Sequence, residues 1–187
     1  MPRRDENLAD QPVFGPEELR ELDLAIHLAA DLVSEASGLD FGDFRQCPVD
    51  VRHFPQLGPE ERRGDVLAQL FRYARQDALP RGGRPDFWRV CLYDPVILAA
   101  RARESLDLGP LLCYVLTHEF VHVSRFLRFM EFFGLDQEAR AREEEIVHAQ
   151  TRDLLAPRAL AGLGPVLGLF GERRLTLDGN PAGLVAP

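Results

Sequence analysis

Apolar positions along the chain recur at helical spacing more often than they alternate. After a polar, proline-marked leader over residues 1–14, Pro16, Glu17 and Glu18 open a helix: proline suits the first turn, and acids suit the positive end of the dipole. Leu19, Leu22, Ile26, Ala29 and Val33 then repeat at three- and four-residue steps, and Gly38 supplies the stop. His27 falls off that stripe and reads as a surface histidine. Residues 39–58 read as loop with a short strand at Val49–Phe54, in which His53 carries no expected chemistry. Val66, Leu70 and Tyr73 predict a second amphipathic helix after Pro59, ending in the turn-rich stretch Leu79–Pro85.

Phe87–Tyr93 alternates aromatic or branched residues with Arg89 and Cys91, the pattern of a strand. Asp94 then reads as an N-cap before Pro95, opening a short helix to Ser105, and Gly109–Pro110 breaks the chain again. From Leu111 to Phe133 the sequence is apolar almost all round, which predicts a helix buried on most of its surface. Gly134 stops it, and Asp136 caps a charged helix running to Leu155. Beyond Pro157 comes an apolar, glycine-rich stretch at Leu160–Phe170, a short strand at Arg174–Leu177 and a loose tail over 178–187. The expected fold is α+β and mostly helical, with a small sheet of a few short strands in one domain. No repeat, linker or sustained heptad that would set an oligomeric state is present.

Composition narrows the chemistry. All 22 basic residues of the 187 are arginine and none is lysine. That excludes a Schiff-base lysine, a P-loop lysine and a kinase lysine. The four serines, Ser34, Ser37, Ser105 and Ser124, lie in no nucleophile elbow. A net charge of −8, with arginines scattered among acids, argues against a nucleic-acid partner. Cys47, Cys91 and Cys113 are odd in number, lack C-x-x-C spacing and predict plain core packing. The N-terminus turns acidic at once, which predicts no signal peptide, and no apolar run reaches the roughly 20 residues of a membrane span. The expected location is the cytoplasm.

The nearly all-apolar helix holds three residues of a different kind within five positions, in His118-Glu119-Phe120-Val121-His122. Histidines at i and i+4 share a helix face, so both imidazoles can reach one divalent metal, and the intervening glutamate can reach a water there. With five histidines in the chain, chance produces H-E-x-x-H about once in a hundred such sequences. Burying these polar groups without partners would cost roughly 2–7 kcal/mol each, and a metal satisfies both rings at once.

A third ligand is expected from the next helix. An antiparallel hairpin about Gly134–Leu135 sets Val147 opposite His122 and Thr151 opposite His118, with Glu143, Glu144, Glu145 and His148 within one turn. At 100° per residue Glu144, His148 and Thr151 share a face, whereas Glu145 points further round and Glu143 stands nearer the Ala139–Ile146 stripe. Glu144 is the expected ligand. His148 is either a fourth ligand or a partner that orients one, and Glu143 reads as solvated helix surface held by arginines.

These residues resemble a zincin, the metallopeptidase class marked by H-E-x-x-H, and its gluzincin branch in particular. There a glutamate on the following helix completes the site, as Glu144 would, with 21 residues between it and His122. The resemblance covers residues 111–155. It implies Zn2+ held by His118, His122 and Glu144, Glu119 as general base, and a peptide or small amide substrate. It also implies that Phe87–Tyr93 is the substrate-side edge strand. His148 stands where the family often has an acidic residue bracing a metal-binding histidine. Arg125, Tyr93 and Tyr114 are candidate oxyanion donors.

Two other readings stand beside it. Glu119-x-x-His122 and Glu145-x-x-His148 duplicate the E-x-x-H of di-iron or di-manganese helical proteins, with Glu35, Glu104 and Glu131 as further carboxylates. A zinc-binding protein without catalysis is the other.

Overall fold

The computed structural model describes residues 11–43, 47–62, 66–73, 87–128 and 137–171. The turn cluster Leu79–Pro85, the helix stop at Phe133–Gly134, the Asp136 cap, Glu131, the strand Arg174–Leu177 and the tail lie outside them, as does the leader through residue 10. Among the described residues, five α-helices and a three-stranded mixed sheet make the fold α+β and mostly helical. Among the described residues no helix is long and apolar enough to cross a membrane.

Helix α1, Pro16–Ser37, follows its sequence signals: the Glu18 carboxylate accepts the Gly15 N–H at 3.0 Å, and Gly38 closes the helix in the left-handed region at φ 69°. Its buried stripe is Leu22, Ala25, Ala29, Leu32 and Val33, while Leu19 stays exposed. His27 is exposed, with Nδ1 against the Asp23 carbonyl at 2.7 Å.

Strands β1, Val49–His53, β2, Ala68–Tyr73, and β3, Phe87–Leu92, form the sheet in the order β1-β3-β2, with β1 parallel and β2 antiparallel to β3. Two expectations fail here. In place of the expected helix through Val66, Leu70 and Tyr73, Ala68–Tyr73 is a strand: Ala68 and Leu70 join the main core, Phe71 fills a smaller core on the opposite face, and a strand covered on both faces shows no alternation. Phe87–Leu92 is the central strand, not an edge, so both of its ladders are occupied, and among the described residues the edges are β1 and β2.

Trp88, Val90 and Leu92 turn one face of β3 to the main core, which they share with α1 and α3. Cys91 and Tyr93 turn the other way, to Phe54, Leu57 and Phe71. There the buried Glu61 carboxylate accepts from the Tyr73 hydroxyl, from Arg89 at 2.9 Å and from the Gly58 N–H at 2.8 Å. Burial works to raise its pKa, but these hydrogen bonds and the Arg89 charge outweigh it and hold the carboxyl below its ordinary value.

Helix α2, Asp94–Glu104, begins at Asp94, yet this side chain is not the cap. Fully buried, it accepts from the backbone N–H of Phe14 at 3.1 Å and of Phe54 at 3.0 Å, and pairs with His53 Nδ1 at 2.9 Å. It therefore fastens the segment before α1 and the end of β1 to the start of α2, and His53 has a structural partner there. Helix α3, Leu108–Arg128, starts ahead of the expected break because Pro110 in a first turn leaves no intrahelical hydrogen bond unmade. Helix α4 is Gln137–Leu155. A fifth helix, α5, Leu163–Gly171, occupies the stretch read as apolar and glycine-rich, entered through Gly162 at φ 79°.

Candidate metal centre

The chemistry-bearing residues lie where α3 and α4 face each other. On α3, Tyr114, His118, His122 and Arg125 form one stripe at four-, four- and three-residue steps, so they rise along a single face. On α4 the buried or half-buried face is Glu143, Glu144, Val147, His148 and Thr151. The contacts run in opposite directions along the two helices. Arg125 meets Glu143, His122 meets Glu144, and His118 and Tyr114 meet His148. The helices are therefore antiparallel, as expected, but slid by less than a turn, so His148 rather than Thr151 stands at His118. Thr151 instead donates its hydroxyl to the Val147 carbonyl at 2.8 Å.

His118 Nε2 and His122 Nε2 are 3.1 Å apart. The Glu144 carboxylate reaches both, with Oε2 3.4 Å from His118 Nε2 and Oε1 3.2 Å from His122 Nε2. His118, Glu144 and His148 each offer a donor atom within 4.8 Å of the others. The spacing can be set against the geometry a metal demands. Ligands about 2.0–2.1 Å from a tetrahedral zinc stand roughly 3.3–3.4 Å from one another, and the three measured separations bracket that value. Two imidazole nitrogens and a carboxylate are also the donor types zinc takes, so the residues present fit the ion.

Burial is graded across the group. His118 is fully enclosed, the His122 side chain is 5% exposed and that of Glu144 33% exposed, so solvent reaches the centre from the α4 side. The sheet helps to hold it. Trp88 of β3 stacks on Phe126 at 5.2 Å, and Phe126 stacks on the His122 ring at 5.7 Å. This ladder explains why an apolar strand matters to a polar site. Glu119 is fully buried on the adjoining face of α3. It is close enough to β3 that its charge adds to the burial and the Glu61 charge that hold the Cys91 thiol above its ordinary value.

Several expected roles change. Glu143 is not solvated: it is buried, and its carboxylate takes Arg125 bidentately, Nε to Oε1 at 2.5 Å and Nη2 to Oε2 at 2.8 Å. The arginine partner was legible and the burial was not. Arg125 is therefore a strut between α3 and α4 rather than a donor waiting for substrate. Tyr93 is likewise remote, since its hydroxyl donates to the Glu61 carbonyl in the small core on the far side of the sheet. Tyr114 does reach the centre, its oxygen 2.9 Å from His148 Nδ1. Burial holds its phenol above the ordinary pKa of 10, so it stays protonated.

Of the carboxylates the di-iron reading named, Glu145 is exposed, and Glu35 and Glu104 pair with Arg158 and Arg103. The cysteines are buried and free. Burial pushes Cys113 up to about 11, and burial with the nearby Asp40 charge pushes Cys47 up to about 12, so both remain thiols at neutral pH.

Sequence reasoning missed Phe170. It lies face to face with Tyr114, centroids 4.1 Å apart and planes within 3°, so α5 covers one side of the centre. Apolar residues 163, 166, 169 and 170 carried the helical spacing, but Gly164, Pro165 and Gly168 masked it. Neither a protein family, nor a curated protein, nor a solved structure matches the chain.

Proposed function

We propose that the chain is a zinc-dependent hydrolase that cleaves peptide or small amide bonds at the α3–α4 pair. One observation carries the reading: two histidines four apart on α3 bring their Nε2 atoms to 3.1 Å from each other, and the Glu144 carboxylate, 22 residues beyond His122, reaches each of them within 3.4 Å. His118, His122 and Glu144 would hold the ion. When bound in such a set, zinc supplies an acidified water and a Lewis acid for a carbonyl oxygen.

The protein's own part follows from its side chains. Glu119, next to His118 on α3, takes a proton from the attacking water and returns it to the departing nitrogen. The half-exposed flank at Glu144 is the side from which a small substrate enters. Arg125 and Glu143 fix the two helices against each other, so the donors need not reorganise when substrate binds.

Full enclosure of Glu119 favours a second reading, a zinc-binding protein without hydrolysis. The two separate in one assay. Synthetic peptides of mixed sequence, incubated with the zinc-loaded chain and read by mass spectrometry, will be cleaved. A chelator will stop cleavage and added zinc will restore it. A chain that holds zinc and cleaves nothing supports the second reading, and cleavage indifferent to the chelator removes the first.

A further inference from the structure

His148 lies one turn beyond Glu144 on α4, and its ring centroid is 4.5 Å from that of His118. Its Nδ1 is 2.9 Å from the Tyr114 hydroxyl. Tyr114 is one turn before His118 on α3, only 2% exposed, and pinned flat against Phe170. Packing, rather than a flexible side chain, thus decides where that hydroxyl stands.

A tyrosine hydroxyl can donate or accept, and the two cases give His148 opposite properties. If Tyr114 donates to Nδ1, the proton of neutral His148 sits on Nε2 and that nitrogen cannot bind a metal. If Nδ1–H donates to the Tyr114 oxygen, Nε2 carries the lone pair. Metal-binding histidines almost always donate their other N–H to an acceptor, and Tyr114 is such an acceptor in place. One of its ring nitrogens lies within 4.8 Å of donor atoms of His118 and Glu144, and with Nδ1 at the Tyr114 hydroxyl, Nε2 is the nitrogen left for a metal, which is the reason to adopt that tautomer.

We propose that His148 is a fourth protein ligand of the ion and that Tyr114 is the residue that positions it, by accepting the Nδ1 proton. The proposal rests on the metal centre described above and not on its hydrolytic use: with four protein ligands a catalytic water could join only as a fifth, and without it the centre is the non-hydrolytic zinc site of the second reading. The chain then offers three imidazoles and one carboxylate, a set that suits zinc and disfavours magnesium and calcium. It also gives α5 a purpose, because Phe170 holds the tyrosine that orients the ligand.

The test is the zinc dissociation constant of the full chain, measured by competition with a chromophoric chelator. Wild type is compared with Tyr114→Phe, His148→Ala and His118→Ala. Tyr114→Phe and His148→Ala are each expected to weaken zinc binding about 10- to 100-fold. The double variant Tyr114→Phe/His148→Ala should be no weaker than His148→Ala alone, because the tyrosine acts only through the histidine. A purely structural tyrosine would instead lower the melting temperature of the metal-free protein and leave the constant unmoved. If His148→Ala folds poorly, His148→Gln carries the same comparison.

Constants within twofold of wild type in the Tyr114 and His148 variants, with binding lost in His118→Ala, overturn this proposal and leave the three-ligand centre standing. Binding unchanged in His118→Ala as well overturns both.

Discussion

Glu119→Gln will lower peptide hydrolysis by about 10²- to 10⁴-fold and leave the bound zinc unchanged. The side chain is fully buried and stands beside a histidine of the donor set without being one of the three donors that converge. Glutamine keeps its shape and removes only its capacity to take a proton. Burial sharpens the expectation, since a neutral amide is easier to enclose than a carboxylate and the variant should not lose stability. Activity per zinc-loaded chain, with the metal counted in the same sample, checks it. Retained hydrolysis would remove Glu119 from the mechanism, whereas loss of both activity and metal would assign it to holding the centre together.

The second large effect concerns stability. Glu143→Ala removes the bidentate acceptor from Arg125, whose side chain is only 14% exposed, and breaking a buried pair from one side costs about 3–5 kcal/mol. For a chain of this length each kcal/mol corresponds to about 2–4 °C, so the melting temperature should fall by about 6–20 °C. Replacing both partners, as in Arg125→Met/Glu143→Leu, should recover most of the loss, because the expense lies in the charge left behind. A fall of a degree or two in Glu143→Ala would mean that the pair behaves as an ordinary surface contact.

Both predictions depend on residues that the sequence placed unequally. H-E-x-x-H on a nearly all-apolar helix was legible because three polar side chains in that setting need partners. The face shared by Glu144 and His148 followed from helical angles alone. Tertiary context decided the rest. Helical angles separate Glu143 from Glu145 but leave both as surface, yet the packing of α4 on α3 buries Glu143 against Arg125 and leaves Glu145 exposed. Val66, Leu70 and Tyr73 carry a helical spacing by accident, and coverage by two cores goes with the strand Ala68–Tyr73. Asp94 has the local look of a cap, but three hydrogen-bond donors from residues 14, 53 and 54 claim its carboxylate. Tyr93 and Tyr114 looked equivalent as hydroxyl donors. The sheet separates them, sending one to Glu61 and leaving the other with His148.

The central claim is that the α3–α4 pair holds one zinc between His118, His122 and Glu144. Elemental analysis of the purified full chain, alongside His118→Ala, tests it most directly. One zinc per wild-type chain and none in the variant is the predicted result. A wild-type protein with no bound transition metal, or one carrying two irons per chain, would contradict it.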